Sequence, residues 1–174
     1  MIPVLETERL ILRESRLSDF PANLAMWTDP RTLSHFGGSA RSEEDVWLRF
    51  QSNFGRWHLS GFGYWAVEDK ASGAYAGGVG FFEARRPLLL PYRDRPEAGW
   101  IIAPDFHGRG FAHEAVARIV AWADENLDAP ETWCMIAPGN LVSQKVAAGA
   151  GYRPAQDALY KEQPVLTFTR ARLT

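Results

Sequence analysis

The chain has 174 residues, 46% hydrophobic and 23% charged, which suits one folded domain with a sizeable core and excludes a disordered or fibrous chain. With 19 Lys+Arg against 21 Asp+Glu the formal charge is −2, and neither half is strongly biased, which argues against a basic nucleic-acid surface and a polybasic membrane anchor. The lone Cys134 has no intrachain partner and fits a reducing compartment. No basic segment leads into a long apolar run at the start, and no apolar stretch nears the roughly 20 residues that span a bilayer, so a cytoplasmic location is expected. One unusual figure remains, seven Trp residues.

In chain order, Leu5–Glu14 reads as a first strand, with Leu10, Ile11 and Leu12 between charges. Ser18 then reads as the N-cap of a helix that tolerates Pro21 in its first turn. Asp29-Pro30 ends this helix, and Gly37–Arg41 reads as a linker. Ser42 followed by Glu43, Glu44 and Asp45 predicts a capped helix start, and Val46, Phe50, Phe54 and Trp57 continue it to Ser60-Gly61. Phe62–Glu68 and Tyr75–Glu83 read as a hairpin. The Arg85–Pro96 segment, with three prolines, four arginines and Leu88-Leu89-Leu90, reads as a loop with an apolar tip, a lid or partner contact.

Glu97–Ala103 is the next strand, with Glu97, Gly99 and Ile101 on one face and Ala98, Trp100 and Ile102 on the other. After His107-Gly108-Arg109-Gly110 the period becomes helical, through Ala112, Ala115, Val116, Ile119, Val120 and Ala123. Thr132–Ala137 is a strand, Pro138-Gly139-Asn140 opens a second late helix that Gly151 breaks, and Pro164–Arg172 is a closing strand. The order predicts an α/β (α+β) sheet with helices on its faces.

A strand, a glycine turn and a helix start can make an anion site. Gly108 and Gly110 let successive N–H groups point outward, and the helix N-terminus favours a phosphate. The same residues also fit a plain glycine turn. A Walker loop is excluded by Gly110-Phe111-Ala112, and a dinucleotide fingerprint by His113 at the third glycine position.

Three segments together resemble the GNAT superfamily of acetyl-CoA-dependent N-acetyltransferases, most closely its RimJ/RimL-type branch. They are Glu97–Ile102, His107–Ala115, and Asn140–Val146 ending in Gly149-Ala150-Gly151-Tyr152; Thr7-Glu8-Arg9-Leu10-Ile11-Leu12-Arg13 also matches that branch's first strand. The resemblance covers nearly the whole chain in order. It implies one domain over residues 1–174, with a mixed, mostly antiparallel sheet of about six or seven strands and about four helices. Central strands would splay to form a coenzyme cleft.

The same resemblance implies that acetyl-CoA binds with its pyrophosphate on His107, Gly108, Arg109, Gly110, Phe111 and Ala112, where His107 departs from the family signature. Its pantetheine would lie along Ile101, Ile102 and Ala103, with Asn140 hydrogen-bonding the arm. Glu97 becomes the candidate base, by analogy with a carboxylate in RimL-like enzymes. Ser143 becomes the candidate donor to the sulfur, because Ala147 stands where many relatives carry an acidic Tyr.

The acceptor would be a small amine or a protein N-terminus, the state a monomer or homodimer, and neither nucleic acid nor membrane is an expected partner. A non-catalytic acyl-CoA-binding module is the alternative. The acceptor wall would come from Trp27–Gly38, Arg85–Arg95 and Ala155–Gln163, with Trp27 as its aromatic. Trp65, Trp100, Trp122, Trp133, Tyr152 and Cys134 read as core, and the arginines of the Arg85–Pro96 loop as solvated or as anion contacts. The four histidines lack zinc-ligand spacing, so no metal is expected.

Overall fold

The structure is a computed structural model, and residues 1–34 and 41–173 are described. Most of the expected Gly37–Arg41 linker and the end of the Trp27–Gly38 wall lie outside the described residues. The elements are β1 (Leu5–Glu6), β2 (Leu10–Arg13), α1 (Phe20–Thr28), α2 (Pro30–Leu33), α3 (Glu43–Ser60), β3 (Tyr64–Asp69), β4 (Tyr75–Phe82), β5 (Glu97–Ile102), α4 (Phe111–Asn126), β6 (Glu131–Ile136), α5 (Leu141–Gly149), β7 (Arg153–Pro154), β8 (Ala158–Tyr160) and β9 (Gln163–Ala171). They build a mixed α/β fold around a nine-stranded sheet of order β1-β2-β3-β4-β5-β6-β9-β7, with β8 paired to β9. The strand and helix numbers exceed expectation because β1, β7, β8 and α2 are only two to four residues long. Elements so short leave little periodicity to read.

Local chemistry accounts for the boundaries. Ser42 Oγ accepts from Asp45 N at 3.1 Å and Asp45 returns to Ser42 N, a reciprocal cap for α3, while Gly61 closes the helix at φ 74°. At α1 the expected Ser18 cap is replaced. A short 3-10 turn over Leu17–Asp19 precedes the helix, and Asp19 is its N-cap by position. The Asp19 carboxylate binds the Arg13 guanidinium instead of a helix N–H, at 2.8 and 2.9 Å. A buried charge needs its partner more than a helix end needs its cap. Burial pushes the Asp19 carboxyl up, but Arg13 and the Arg16 N–H outweigh it and hold the group below the ordinary carboxylate range.

The main core lies between the sheet and α4, which buries Phe111, Ala115, Val116, Ile119, Val120, Trp122 and Ala123, as its spacing required. Trp57, Trp65 and Trp122 meet edge to face, with centroids 4.6 to 5.8 Å apart. The buried Tyr152 hydroxyl is 2.8 Å from Thr132 Oγ1, a core role as expected.

The 85–96 loop is not the free apolar flap its composition suggested. Leu88, Leu90 and Tyr92 pack on Trp133 as a second small core, and only Leu89 of the three leucines faces solvent. Arg86 turns inward to Glu97 rather than to water.

One topological feature sets the site. Every neighbouring pair in the sheet is antiparallel except β5 and β6, which are parallel and share the single register pair Glu97 and Trp133. Beyond that point the two strands diverge.

Candidate active site

The divergence leaves one edge of β5 without a strand partner. Ala103 N donates to Ala76 O on the β4 side, so strand alternation directs the main-chain groups of Trp100 and Ile102 into the gap. Ile102 O is taken by the His107 imidazole at 2.8 Å, an arrangement in which Nε2 carries the proton. Trp100 therefore offers both its N–H and its C=O, and Ile102 its N–H. The Ala103 N–H is engaged by the sheet, so its expected pairing with pantetheine is not available from that group.

A cavity of about 450 Å³ opens along this edge. Its far wall is the start of α4, where Gly108 at φ 75° and Gly110 at φ 78° hold a left-handed turn that L side chains resist. No side chain caps α4, so the first N–H groups of the helix face the cavity unpaired. The turn is fixed from behind. Glu114 Oε1 accepts from Thr7 Oγ1 at 2.5 Å and Arg9 N at 2.8 Å, its Oε2 accepts from Arg9 Nε at 2.6 Å, and Arg9 Nη1 donates to Arg109 O at 2.6 Å. Thr7 and Arg9, in the connection between β1 and β2, thus lock the turn from about a hundred residues away, a contact no local pattern announces.

Of the residues expected at the coenzyme, Ile101, Ile102, His107, Gly108, Gly110, Phe111, Ala112, Asn140 and Ser143 line the cavity. Ala103 and Arg109 do not. The Arg109 guanidinium lies over Phe111 at 4.3 Å and pairs with Asp69 at 3.4 Å. Asn140 N-caps α5 through Oδ1, which accepts from Ser143 N at 3.0 Å, and this leaves Nδ2 as a donor.

Two residues at this cavity escaped sequence reading. Trp100, expected in the core, is half-buried here and donates Nε1–H to Ser143 Oγ at 3.3 Å. Thr32 is buried at 3% exposure, and its hydroxyl has no hydrogen-bond partner among the described residues. An orphan hydroxyl, an uncapped helix start and an open strand edge in one cavity fit an extended, polar, phosphate-bearing ligand. Among the described residues no group of three or more His, Cys, Asp or Glu could hold a metal, and no helix is long and apolar enough to cross a membrane.

A second, far smaller cavity, of about 20 Å³, lies on the α1 and α3 side of β5, with room for a small polar head group rather than a whole ligand. Trp27, Arg49, Arg56, Tyr64 and Tyr75 line it, and Ile101 borders both cavities. Trp27 is buried here, with the guanidiniums of Arg49 and Arg41 over its ring at 4.3 and 4.9 Å. Behind Tyr64, a Cβ at Gly99 would push the Tyr64 hydroxyl out of its place.

Glu97 opens β5 on the same face as Gly99 and Ile101. It is 3% exposed, and Arg86 clamps both its oxygens at 2.7 and 2.9 Å. Burial raises its carboxyl above the ordinary value, against the opposing pull of Arg86. It lines neither cavity.

Comparison with known proteins agrees with this geometry. Residues 9–153 match the family model described as "Acetyltransferase (GNAT) domain". The chain belongs to the GNAT acetyltransferase family, a class whose homology supports acetyl-CoA-dependent acetyl transfer in general. A GnaT-family acetyltransferase from Bordetella pertussis is similar, at 30% identity and TM-score 0.84, covering 98% of this chain and 100% of that one. So is an acetyltransferase from Agrobacterium tumefaciens, at 30% identity and TM-score 0.82, covering 97% and 94%. An uncharacterised N-acetyltransferase of Bacillus subtilis, YoaA, is 23% identical over 154 residues, 88% of this chain and 84% of its own.

Proposed function

We propose that the chain works as one domain over residues 1–174, a RimJ/RimL-like N-acetyltransferase that moves the acetyl group of acetyl-CoA to a primary amine in a ternary complex. The acceptor is a small-molecule amine or a protein N-terminus. The observation that carries this reading is the gap between β5 and β6, open along Trp100 and Ile102 and closed by the uncapped start of α4.

The chain's own groups suit each task. The helix N–H groups and the Gly110 turn take the pyrophosphate. Trp100 and Ile102 main-chain groups pair with the pantetheine amides as a strand would, and Asn140 Nδ2 and the Thr32 hydroxyl donate to the arm. The acceptor amine arrives protonated and loses that proton to Glu97, relayed by water because Arg86 holds both carboxylate oxygens. The amine nitrogen then bonds to the acetyl carbon and the C–S bond breaks; the leaving thiolate accepts a hydrogen bond from Ser143 Oγ–H and takes up, through water, the second proton that the nitrogen sheds as the amide forms. Trp100 Nε1–H, donating to Ser143 Oγ, aims that hydroxyl proton away from the ring.

Thermal melting with acetyl-CoA, followed by thiol-release assays on an amine panel, tests the proposal. Stability should rise with ln(1+[L]/Kd) and some amine should release CoA. No melting shift at millimolar acetyl-CoA would refute the coenzyme reading, and a shift without turnover on any amine would favour a non-catalytic acyl-CoA-binding module.

A further inference from the structure

The smaller cavity carries an electrostatic imbalance. Arg49 and Arg56 line it, and Arg41 shares the Trp27 ring with Arg49. Among the described residues no carboxylate lies within ion-pair distance of Arg41, Arg49 or Arg56, and residues 35–40 contain no acid in their sequence. Of the nearby acids, Glu97 is clamped by Arg86 and acts on Arg56 only at longer range, and Asp45 acts in the same way on Arg41.

Aromatic rings hold these cations in place. Arg49 lies over Trp27, and Arg56 lies over Tyr64 at 5.5 Å and Phe82 at 5.2 Å. Arg56 also donates to Asn53 Oδ1 at 3.2 Å, and the Arg41 Nε is buried with no partner among the described residues. Arg49 is exposed and Arg56 half-buried, and desolvation lowers the pKa of both guanidiniums. With no carboxylate bridging them, the guanidiniums of Arg49 and Arg56 keep N–H groups available to an anion. Guanidinium forks match oxyanions in particular. Asn23 and Tyr75, bonded to each other at 2.9 Å, add neutral polar groups to the wall. Ile101 borders both cavities, so a ligand anchored among the arginines reaches towards the open edge of β5.

We propose that the acceptor is a small amine bearing an oxyanion, a carboxylate or a phosphonate, which Arg49 and Arg56 bind while its amino group points along Ile101 to the coenzyme cleft. This rests on the transferase reading above and narrows it. A polyamine is disfavoured by the same charges.

The test separates the two readings. Acetyl-CoA melting shifts report the coenzyme site alone. In thiol-release assays, free amino acids and aminoalkylphosphonates should exceed their esters and simple alkylamines at least tenfold in kcat/KM, with the better of the two acids naming the oxyanion. Arg49→Met keeps an apolar stem and removes the charge. It should raise KM for the acids at least tenfold more than for neutral amines, and leave the acetyl-CoA shift intact. Independently of turnover, N-acetyl amino acids should bind the CoA complex by calorimetry, their amides should not, and Arg49→Met should lose that binding. Preference for neutral or cationic amines, for a peptide N-terminus over the small acids, equal loss on acids and esters, or no binding of N-acetyl acids would overturn the proposal.

Discussion

Replacing Gly110 by alanine isolates the turn on which the coenzyme reading depends. Gly110 sits at φ 78°, where an L side chain costs roughly 1–2 kcal/mol. The new Cβ would meet Arg9 Nη2 at 3.4 Å, an ordinary contact, so backbone strain dominates. The fold, with a stability of about 5–15 kcal/mol, survives this. Relief of the strain requires the turn to rotate, which moves the N–H groups of Phe111 and Ala112 off the ligand. If the native turn must be restored to bind, affinity falls by the same energy, about 5- to 30-fold.

Gly61→Ala supplies the control. It has the same handedness at φ 74°, lies at the end of α3, and leaves its Cβ with nothing within 4 Å. Both variants should melt about 2–8 °C lower. Only Gly110→Ala should weaken CoA in isothermal calorimetry. Equal CoA affinity in Gly110→Ala and wild type, with both melting points lowered alike, would refute the anion site.

Ser143→Ala should lower kcat about 10- to 100-fold with CoA affinity within threefold, and Trp100→Phe should lower it less, since the hydroxyl remains but loses its orienting N–H; unchanged kcat in both would remove Ser143 from the chemistry. Glu97, its carboxyl raised by burial, should give kcat/KM an acid limb above the ordinary glutamate range, with activity increasing as pH rises and the carboxylate forms. Glu97→Gln should abolish that limb and lower the plateau, and a wild-type profile in the variant would exclude Glu97 as base. Asp19→Asn should cost about 3 kcal/mol in urea unfolding at pH 7, the low end for a broken buried pair because Arg13 keeps Glu68 at 2.5 Å. Since the Asp19 carboxyl is held low, its contribution is complete above about pH 4 and fades as pH falls further, so the gap to Asn should shrink there; a gap constant down to pH 2 would contradict the pairing.

Elements with a long period were legible in advance. The α4 stripe, the Ser42 cap and the parity of β5 came from local chemistry, and the structure keeps them. The glycine turn was visible because positive φ has few residue solutions. Other assignments depended on partners far along the chain. Ser18 read as the cap of α1, and nothing local announced that Arg13 would hold the Asp19 carboxylate beside it. Leu88 and Leu90 read as an exposed tip because nothing in the loop foretells Trp133 beneath it. Trp100 read as core because strand parity assigns a face, not what lies opposite, and here the opposite side is a gap bordered by Ser143.

The amino-acid sequence by itself determined the order of the longer elements, the amphipathic faces, the Ser42 cap of α3 and the glycine turn before α4, since each is settled within a few residues by backbone sterics and hydrophobic period. Only the tertiary structure decided that β5 and β6 part after Glu97, that Thr7 and Arg9 brace the α4 turn, and that Tyr75 and Ile101 meet Arg49 and Arg56 of α3 around one small cavity. Those facts belong to strand order and side-chain convergence between residues tens to a hundred positions apart, and no window of local sequence encodes such distances.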